Sequence, residues 1–298
     1  MQIAKTARVV ARNILGPRLT ILVRQEFRRK LSFAADYRSL LRGKRGLEIG
    51  GPSPMVAYAG EVPIYDVLES LDNCLYSGNT IWTGEVREGN TFVYHPGKEP
   101  GAQIICDATD LQPIRDSSYE CVLACHCLEH IANPFRALAE WKRVLKDDGL
   151  LLLILPHKDG TFDWRRPTTQ LAHMIEDYEN AVGEEDLTHL AEILELHDLS
   201  KDEAAGTLDQ FRQRCLANHL NRAMHHHVFD TIAALSMVNH VGLRILRVDN
   251  LKPFHIIILA VRTNQMVDNS RFTQPGGEHW IRSPFPSDHE HRNSCNAL

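Results

Sequence analysis

The chain has 298 residues, 43% of them hydrophobic and 24% charged, which is enough apolar material for one large core or two modest ones and excludes a disordered or collagen-like chain. Its longest strictly apolar run, Leu150 to Leu155, falls far short of the roughly 18 residues a membrane-spanning helix needs, so no transmembrane segment is expected. The formal net charge of −5 is strongly polarised: residues 1–46 carry twelve Lys/Arg against Glu26 and Asp36, a net of +10, and everything after them sums to −15.

Residues 1–45 read as a basic helical lead-in, with Ile14, Leu15, Leu19, Leu22 and Phe27 at roughly helical spacing around a break at Gly16-Pro17. The segment lacks the apolar core and cleavage site of a secretory signal, and its charge leaves peripheral contact with an anionic membrane surface open. Alternating α and β elements follow. Gly46 to Ile49 is a short strand running into Gly50-Gly51-Pro52-Ser53, and Ala102 to Asp107 and Tyr119 to Cys125 are further strands. Asn133-Pro134 opens a helix as N-cap and first-turn proline, with Phe135, Leu138 and Leu145 at core-facing spacing. Leu150 to Leu155 is a continuous apolar strand, as expected where helices cover both sheet faces.

The alternation lapses over 157–227. Within it, residues 170–210 hold twelve Asp/Glu against Lys201 alone, a net of −11, while Leu190, Ile193 and Leu194 give helical character; the stretch reads as an inserted helical region. A helix over Val228 to Val241 and strands Leu243 to Val248 and His255 to Val261 resume the pattern, and the short link between the two strands makes them antiparallel neighbours. Residues 263–298, rich in Gly, Pro, Ser, His and Asn, read as a disordered tail. The fold class expected is α/β, a doubly wound and mostly parallel sheet whose core comprises 46–156 and 228–262.

A strand delivering Glu48 and then Gly50-Gly51 suits a nucleotide-type ligand, because glycine lets the ligand approach the backbone, although GxGxxG spacing is absent. Asp72, or alternatively Asp66, follows about 20 residues later, where a ribose-binding carboxylate belongs. Asp107-Ala108 closes the next strand, and Cys125-His126-Cys127-Leu128-Glu129-His130-Ile131 leads into the capped helix. At these residues the sequence resembles the class I S-adenosylmethionine-dependent methyltransferases, most closely the bacterial branch with a type 11 methyltransferase domain, over about Gly46 to Pro156 and Val228 to Arg262. Leu47 to Ser53 looks like the family's first motif without its third glycine, Cys106 to Ile114 like its adenine-contacting segment, and His126 to Pro134 followed by Glu140 to Lys146 like its signature after the fourth strand.

The resemblance implies a Rossmann-like fold with a seven-stranded sheet and a helical insertion after the fifth strand, with S-adenosylmethionine as methyl donor. It implies Glu48 orienting the glycine loop or receiving the cofactor's ammonium group, and Gly50, Gly51, Pro52 and Ser53 lying under the methionine moiety. Asp72 or Asp66 would take the ribose hydroxyls, Asp107 and Ala108 would lie at the adenine, and His126 would stand beside the methylsulfonium.

Methyl transfer is an in-line displacement, so the protein mainly aligns an acceptor lone pair and removes a proton if the acceptor is a hydroxyl. His157 and His227 are the candidate bases, with Asp163 orienting one of them or binding acceptor hydroxyls and Arg166 holding an anionic group. No HExxH or Cys/His spacing occurs, so no metal ligand is assigned, although His225 and His227 with His157, Asp163, His189 or His197 could supply donors. The acidic insertion speaks against nucleic acid as acceptor. Seven cysteines without framework spacing argue for free thiols in a reducing, cytoplasmic compartment. The expected activity is methylation of a small-molecule or saccharide/glycan acceptor at oxygen, the saccharide preference resting on the resemblance. A lipid or quinone-type acceptor and a non-catalytic binding module are the alternatives.

Overall fold

The computed structural model describes residues 30–274 and 282–295; the lead-in expected over 1–45 lies outside them up to residue 29. Helix α1 (Ala35–Leu41) packs Tyr37 and Leu41 against the sheet and leads into β1 (Arg45–Ile49). The chain continues through β2 (Ser70–Leu75), the hairpin β3 (Asn79–Thr80) and β4 (Gly84–Glu85), then β5 (Gly89–Phe92), β6 (Gly101–Ile105) and β7 (Tyr119–Cys125). Helix α2 (Pro134–Val144) starts where the Asn133 side chain accepts a hydrogen bond from Arg136 N at 3.0 Å. β8 (Leu145–Pro156) carries the long apolar run and is buried from Leu150 onward. After the insertion, α7 (Thr231–His240) is capped by the Asp230 side chain, and β9 (Arg244–Leu251) and β10 (His255–Val261) complete the sheet.

The strand order is β5-β6-β2-β1-β7-β8-β10-β9. β6, β2, β1, β7 and β8 are parallel, whereas β10 is antiparallel to both β8 and β9. These are the seven strands of a doubly wound sheet. An eighth, β5, adds antiparallel to the β6 edge, and its sequence Gly-Asn-Thr-Phe has no apolar run to announce it. Apolar layers cover both faces, one centred on Trp141, Leu138 and Val238 and the other on Tyr37, Tyr65 and Leu68. Because β1, β2, β6, β7 and β8 all point the same way, their carboxyl ends form a single edge, and loops leaving that edge build a common site.

The insertion over 157–227 contains α3 (Leu171–Glu179), α4 (Leu190–Leu196), α5 (Leu208–Leu216) and α6 (Asn218–Asn221). It has a small core of its own, formed by Ile193, Ala205, Phe211, Cys215 and Met224. Among the described residues no helix is long and apolar enough to cross a membrane.

The tail departs from the expected disorder. α8 (Ser270–Thr273) and α9 (Pro286–Cys295) are helical, and Phe285 and Asp288 are buried. Asp288 accepts from Thr231 N and Oγ1 and from Ser283 Oγ and lies 3.1 Å from His157 Nε2, while Phe285 stacks on the His157 ring at 4.0 Å between centroids. A buried carboxylate with this many donors is costly to remove. Asp288→Ala is expected to destabilise the chain by about 3 kcal/mol, read as a shift of the urea midpoint; a loss under about 0.5 kcal/mol, the range of an ordinary surface substitution, would show that the tail does not support the fold.

Candidate active site

The glycine loop is held from below. Glu48 is fully buried, and its carboxylate accepts from Tyr65 Oη at 2.7 Å and from Ser53 N at 3.2 Å. The Tyr65 hydroxyl in turn accepts from Ser53 N at 2.7 Å. Asn73 on β2 accepts from Gly51 N at 2.9 Å and donates to Gly51 O at 3.0 Å. Gly50 sits at φ +80°, in the left-handed region. A Cβ on Gly51 would lie 2.3 Å from Glu48 Oε2, so only glycine fits there. Glu48 thus bonds the loop's own backbone through Ser53 N. Pro52 is exposed and Ser53 buried.

Burial pushes the Glu48 carboxyl up to about 7, against the lowering effect of its bonds to Tyr65 and Ser53. The folded chain therefore binds this proton more tightly than the unfolded one, whose carboxyl titrates near about 4.3. Glu48 thus weakens stability increasingly as pH rises from about 4.5 to about 7. In Glu48→Gln that contribution vanishes, so the variant's stability relative to the parent should improve between about pH 5 and about pH 7.5. Urea unfolding at both pH values measures it; a stability difference independent of pH would show that Glu48 is not the titrating group.

Both ribose candidates stand at the wrong edge. Asp72 is the third residue of β2 and bonds Ala102 N at 2.8 Å, Tyr119 Oη at 2.8 Å and, at 3.4 Å, Arg45, all at the amino ends of their strands. Asp66 precedes β2 and pairs with both terminal nitrogens of Arg38 at 2.7 Å. β2 runs on to Leu75, so its carboxyl end presents Tyr76 and Ser77 with no carboxylate. Tyr76 instead lies under Arg222, whose guanidinium carbon is 5.0 Å from the ring centroid. Arg222 also pairs with Asp107 at 2.7 Å and with Glu184 at 3.1 Å. The other Asp107 oxygen accepts from Thr109 N and Oγ1 at 2.8 and 2.7 Å, and Ala108 O accepts from Trp141 Nε1 at 3.0 Å.

After β7, His126 takes a left-handed backbone, φ 49°, and its Nε2 lies 2.9 Å from His255 Nδ1. Three residues on, Glu129 is buried and faces His126 with one carboxylate oxygen at 3.7 Å. His130 and His225 meet edge to face with centroids 4.5 Å apart. His225 Nδ1 lies 2.6 Å from Asp163, whose other oxygen receives Arg166 at 3.0 Å. Burial raises the Asp163 carboxyl, but His225 and Arg166 outweigh it and hold the group down at about 2.

The acceptor-side residues therefore rearrange relative to expectation. Asp163 contacts His225, not His157 or His227. His157 is fully buried beneath the tail, on Asp288, and is withdrawn as a base. His227 is equally buried; its Nε2 lies 3.1 Å from Ala132 O and burial drives its pKa well below the usual imidazole value, so it is withdrawn too. Arg166, expected on an anionic acceptor group, is committed to Asp163, Glu192 at 2.8 Å and His225 O at 2.9 Å, which leaves it a positioning residue. Glu129, His130, Arg222 and Glu184 carry no role in the sequence reading, and His225 enters it only as a possible metal donor. The first two were legible as the carboxylate and imidazole inside the same post-strand motif as His126.

Among the described residues nothing hydrogen-bonds Glu184 Oε2 or Arg222 Nε, both buried at this edge, and a polar ligand would satisfy them. Residues 82–153, from the β3-β4 hairpin into β8, match the family model described as a methyltransferase domain. Over those residues the chain resembles the methyltransferase domain family, and the match begins after the glycine loop. No curated protein matches it in sequence. Solved structures similar to this chain include a Methanosarcina mazei S-adenosylmethionine-dependent methyltransferase, at 16% identity and TM-score 0.44 over 78% of this chain and 98% of that one. They also include an inferred methyltransferase of Bacillus halodurans, at 13% identity and TM-score 0.45 over 78% and 99%. An Aquifex aeolicus S-adenosylmethionine-dependent methyltransferase matches at 10% identity and TM-score 0.37 over 77% and 88%. Gly50, Gly51, Tyr76, Asp107, Ala108 and the His126-Cys127 turn all follow the carboxyl ends of parallel strands and lie at one sheet edge.

Proposed function

We propose that the enzyme methylates a hydroxyl oxygen of a small-molecule acceptor, a saccharide among them, beside the side-chain cluster of Glu129, His130 and His225. The observation that carries the reading is the Asp163-His225 contact of 2.6 Å, buried beside Glu129 and His130 on the turn that follows β7. The cofactor, when bound, supplies a methyl carbon already activated by a positive sulfur. The chain's own residues then have two tasks. The Gly50-Gly51 loop and the Tyr76, Asp107 and Ala108 shelf hold the donor, and the histidine and carboxylate pocket receives the acceptor hydroxyl and its proton. A hydroxyl oxygen needs such a proton-accepting pocket to become a nucleophile near neutral pH, whereas a free amine or thiolate does not. Trp82 lies 5.2 Å from His130 and Phe162 4.7 Å from His225, between ring centroids, so aromatic surface flanks the pocket and suits the apolar faces of a sugar or other small ring.

The six described cysteines are free thiols, which supports a reducing, cytoplasmic compartment. The test is calorimetric titration with S-adenosylhomocysteine followed by transfer of labelled methyl to a panel of saccharide, phenol, carboxylate and amine acceptors. Label on a hydroxyl-bearing acceptor, lost in His225→Gln with S-adenosylhomocysteine affinity kept, is the expected result. Transfer only to amines would refute the oxygen assignment, and binding without turnover on any acceptor would favour the non-catalytic alternative.

A further inference from the structure

The geometry points to a divalent metal site in the acceptor pocket, with Glu129, His130 and His225 as its protein ligands. One donor atom from each of the three lies within 4.8 Å of the other two. Two imidazoles and one carboxylate are the donor set of a borderline transition ion such as Zn2+, Co2+ or Mn2+, rather than of Ca2+ or Mg2+, which favour all-oxygen sites. An ion with bonds near 2.0–2.1 Å spaces tetrahedral ligands about 3.3 Å apart, so binding would draw the three side chains slightly inward.

Each prospective ligand is already arranged as a ligand needs to be. His225 Nδ1 is engaged by Asp163 at 2.6 Å, which leaves Nε2 with its lone pair. His130 Nδ1 lies 3.3 Å from Met224 O and is fixed the same way. A carboxylate or backbone carbonyl on the far ring nitrogen is the usual support for a metal-bound histidine, because it sets the tautomer and the ring plane. The support is itself anchored, since Arg166 pairs with the second Asp163 oxygen at 3.0 Å and with His225 O at 2.9 Å.

An independent observation concerns Glu129. Its side chain is 1% exposed, and its Oε2 has no hydrogen-bond partner among the described residues. A buried carboxylate oxygen left bare costs on the order of 1–3 kcal/mol or more, so it calls for an explanation; a cation supplies one. The residues come from distant parts of the chain, two from the turn after β7 and one from the end of the insertion, so only the folded enzyme assembles the site. Three protein ligands leave a coordination position open, as in catalytic rather than structural sites. This deepens the acceptor-pocket reading and rests on it for the ion's role, which is to receive an acceptor oxygen; ion binding itself does not depend on that reading.

The experiment uses the full-length enzyme, stripped with a chelator and titrated with ZnCl2 by calorimetry, with S-adenosylhomocysteine affinity measured in parallel. One equivalent of Zn2+ per chain is expected, weakened at least tenfold in Glu129→Gln and His225→Gln and about 10- to 100-fold in Asp163→Asn. X-ray absorption of the Zn2+-loaded parent, which needs no variant to fold, should show two imidazoles and a carboxylate oxygen at about 2.0–2.1 Å. No stoichiometric uptake, uptake unaffected by the variants, or a shell without two imidazoles would overturn the metal site. S-adenosylhomocysteine binding and metal-free methyl transfer that survive such a result would leave the methyltransferase reading standing.

Discussion

Gly51→Ala is expected to weaken S-adenosylhomocysteine binding at least about 100-fold, roughly 2.7 kcal/mol, and to lower thermal stability at the same time. The added Cβ would sit 2.3 Å from Glu48 Oε2 and 2.4 Å from its carboxyl carbon, where ordinary contacts begin near 3.4 Å. Glu48 has nowhere to retreat, because it is fully buried and tied to Tyr65 and Ser53. The loop must therefore move by about 1 Å, a displacement that can cost on the order of 10²-fold in a preorganised site. Asn73, which holds both polar groups of the Gly51 backbone, would lose its geometry in the same step. Gly43→Ala is the control: Gly43 is also left-handed, at φ +69°, but a Cβ there meets nothing within 4 Å. It should cost on the order of 1 kcal/mol of stability and leave cofactor affinity unchanged. Calorimetry on the three proteins decides the matter, and a Gly51→Ala affinity within threefold of the parent would remove the glycine loop from the cofactor site.

The strands that position this loop were readable because their apolar runs are continuous, as in Leu150 to Leu155. The ends of strands were less so. Asp66 and Asp72 both carry the right functional group at the right distance in sequence, yet β2 begins only at Ser70, after Asp66, and runs past Asp72 to Leu75. A carboxylate near a strand's start faces the edge opposite the ligand, and composition cannot distinguish the two edges. The charge of the insertion misled in a related way. Asp177, Glu184, Glu192 and Asp202 count toward its −11, but they lie against His173, Arg222, Arg166 and Arg214 inside the molecule. Much of the apparent negative field is spent on internal pairing, so the acidic block weighs less against an anionic acceptor than its formal charge does.

The histidine triplet shows where pattern reading stops. His225, His226 and His227 follow α6 in an irregular segment, without a helix or strand period to assign their directions. His226 turns to Asn218 at 2.9 Å, His227 to Ala132 O, and only His225 reaches Asp163. His157 was misplaced for a different reason. It does leave the carboxyl end of β8, but the tail folds over it and Asp288 takes its Nε2.

His225→Gln should lower kcat by about 10²- to 10⁴-fold, the range associated with removing a group that accepts a proton in the transition state. Glutamine preserves much of the volume and can still bond Asp163, so Arg166 keeps its carboxylate partner and the fold loses little. S-adenosylhomocysteine affinity should stay within about twofold, because the donor shelf of Gly50, Gly51 and Asp107 is built from other elements. The loss is expected whether His225 takes the proton directly or holds an ion that acidifies the acceptor. His157→Asn separates catalysis from packing. It strips the stacked partner from Phe285 at 4.0 Å and the Asp288 contact at 3.1 Å, so the thermal midpoint should fall while kcat of the folded fraction stays near the parent's. The opposite pattern, with His157→Asn catalytically dead and His225→Gln active, would return the reaction to the end of β8 and refute the pocket built around Asp163.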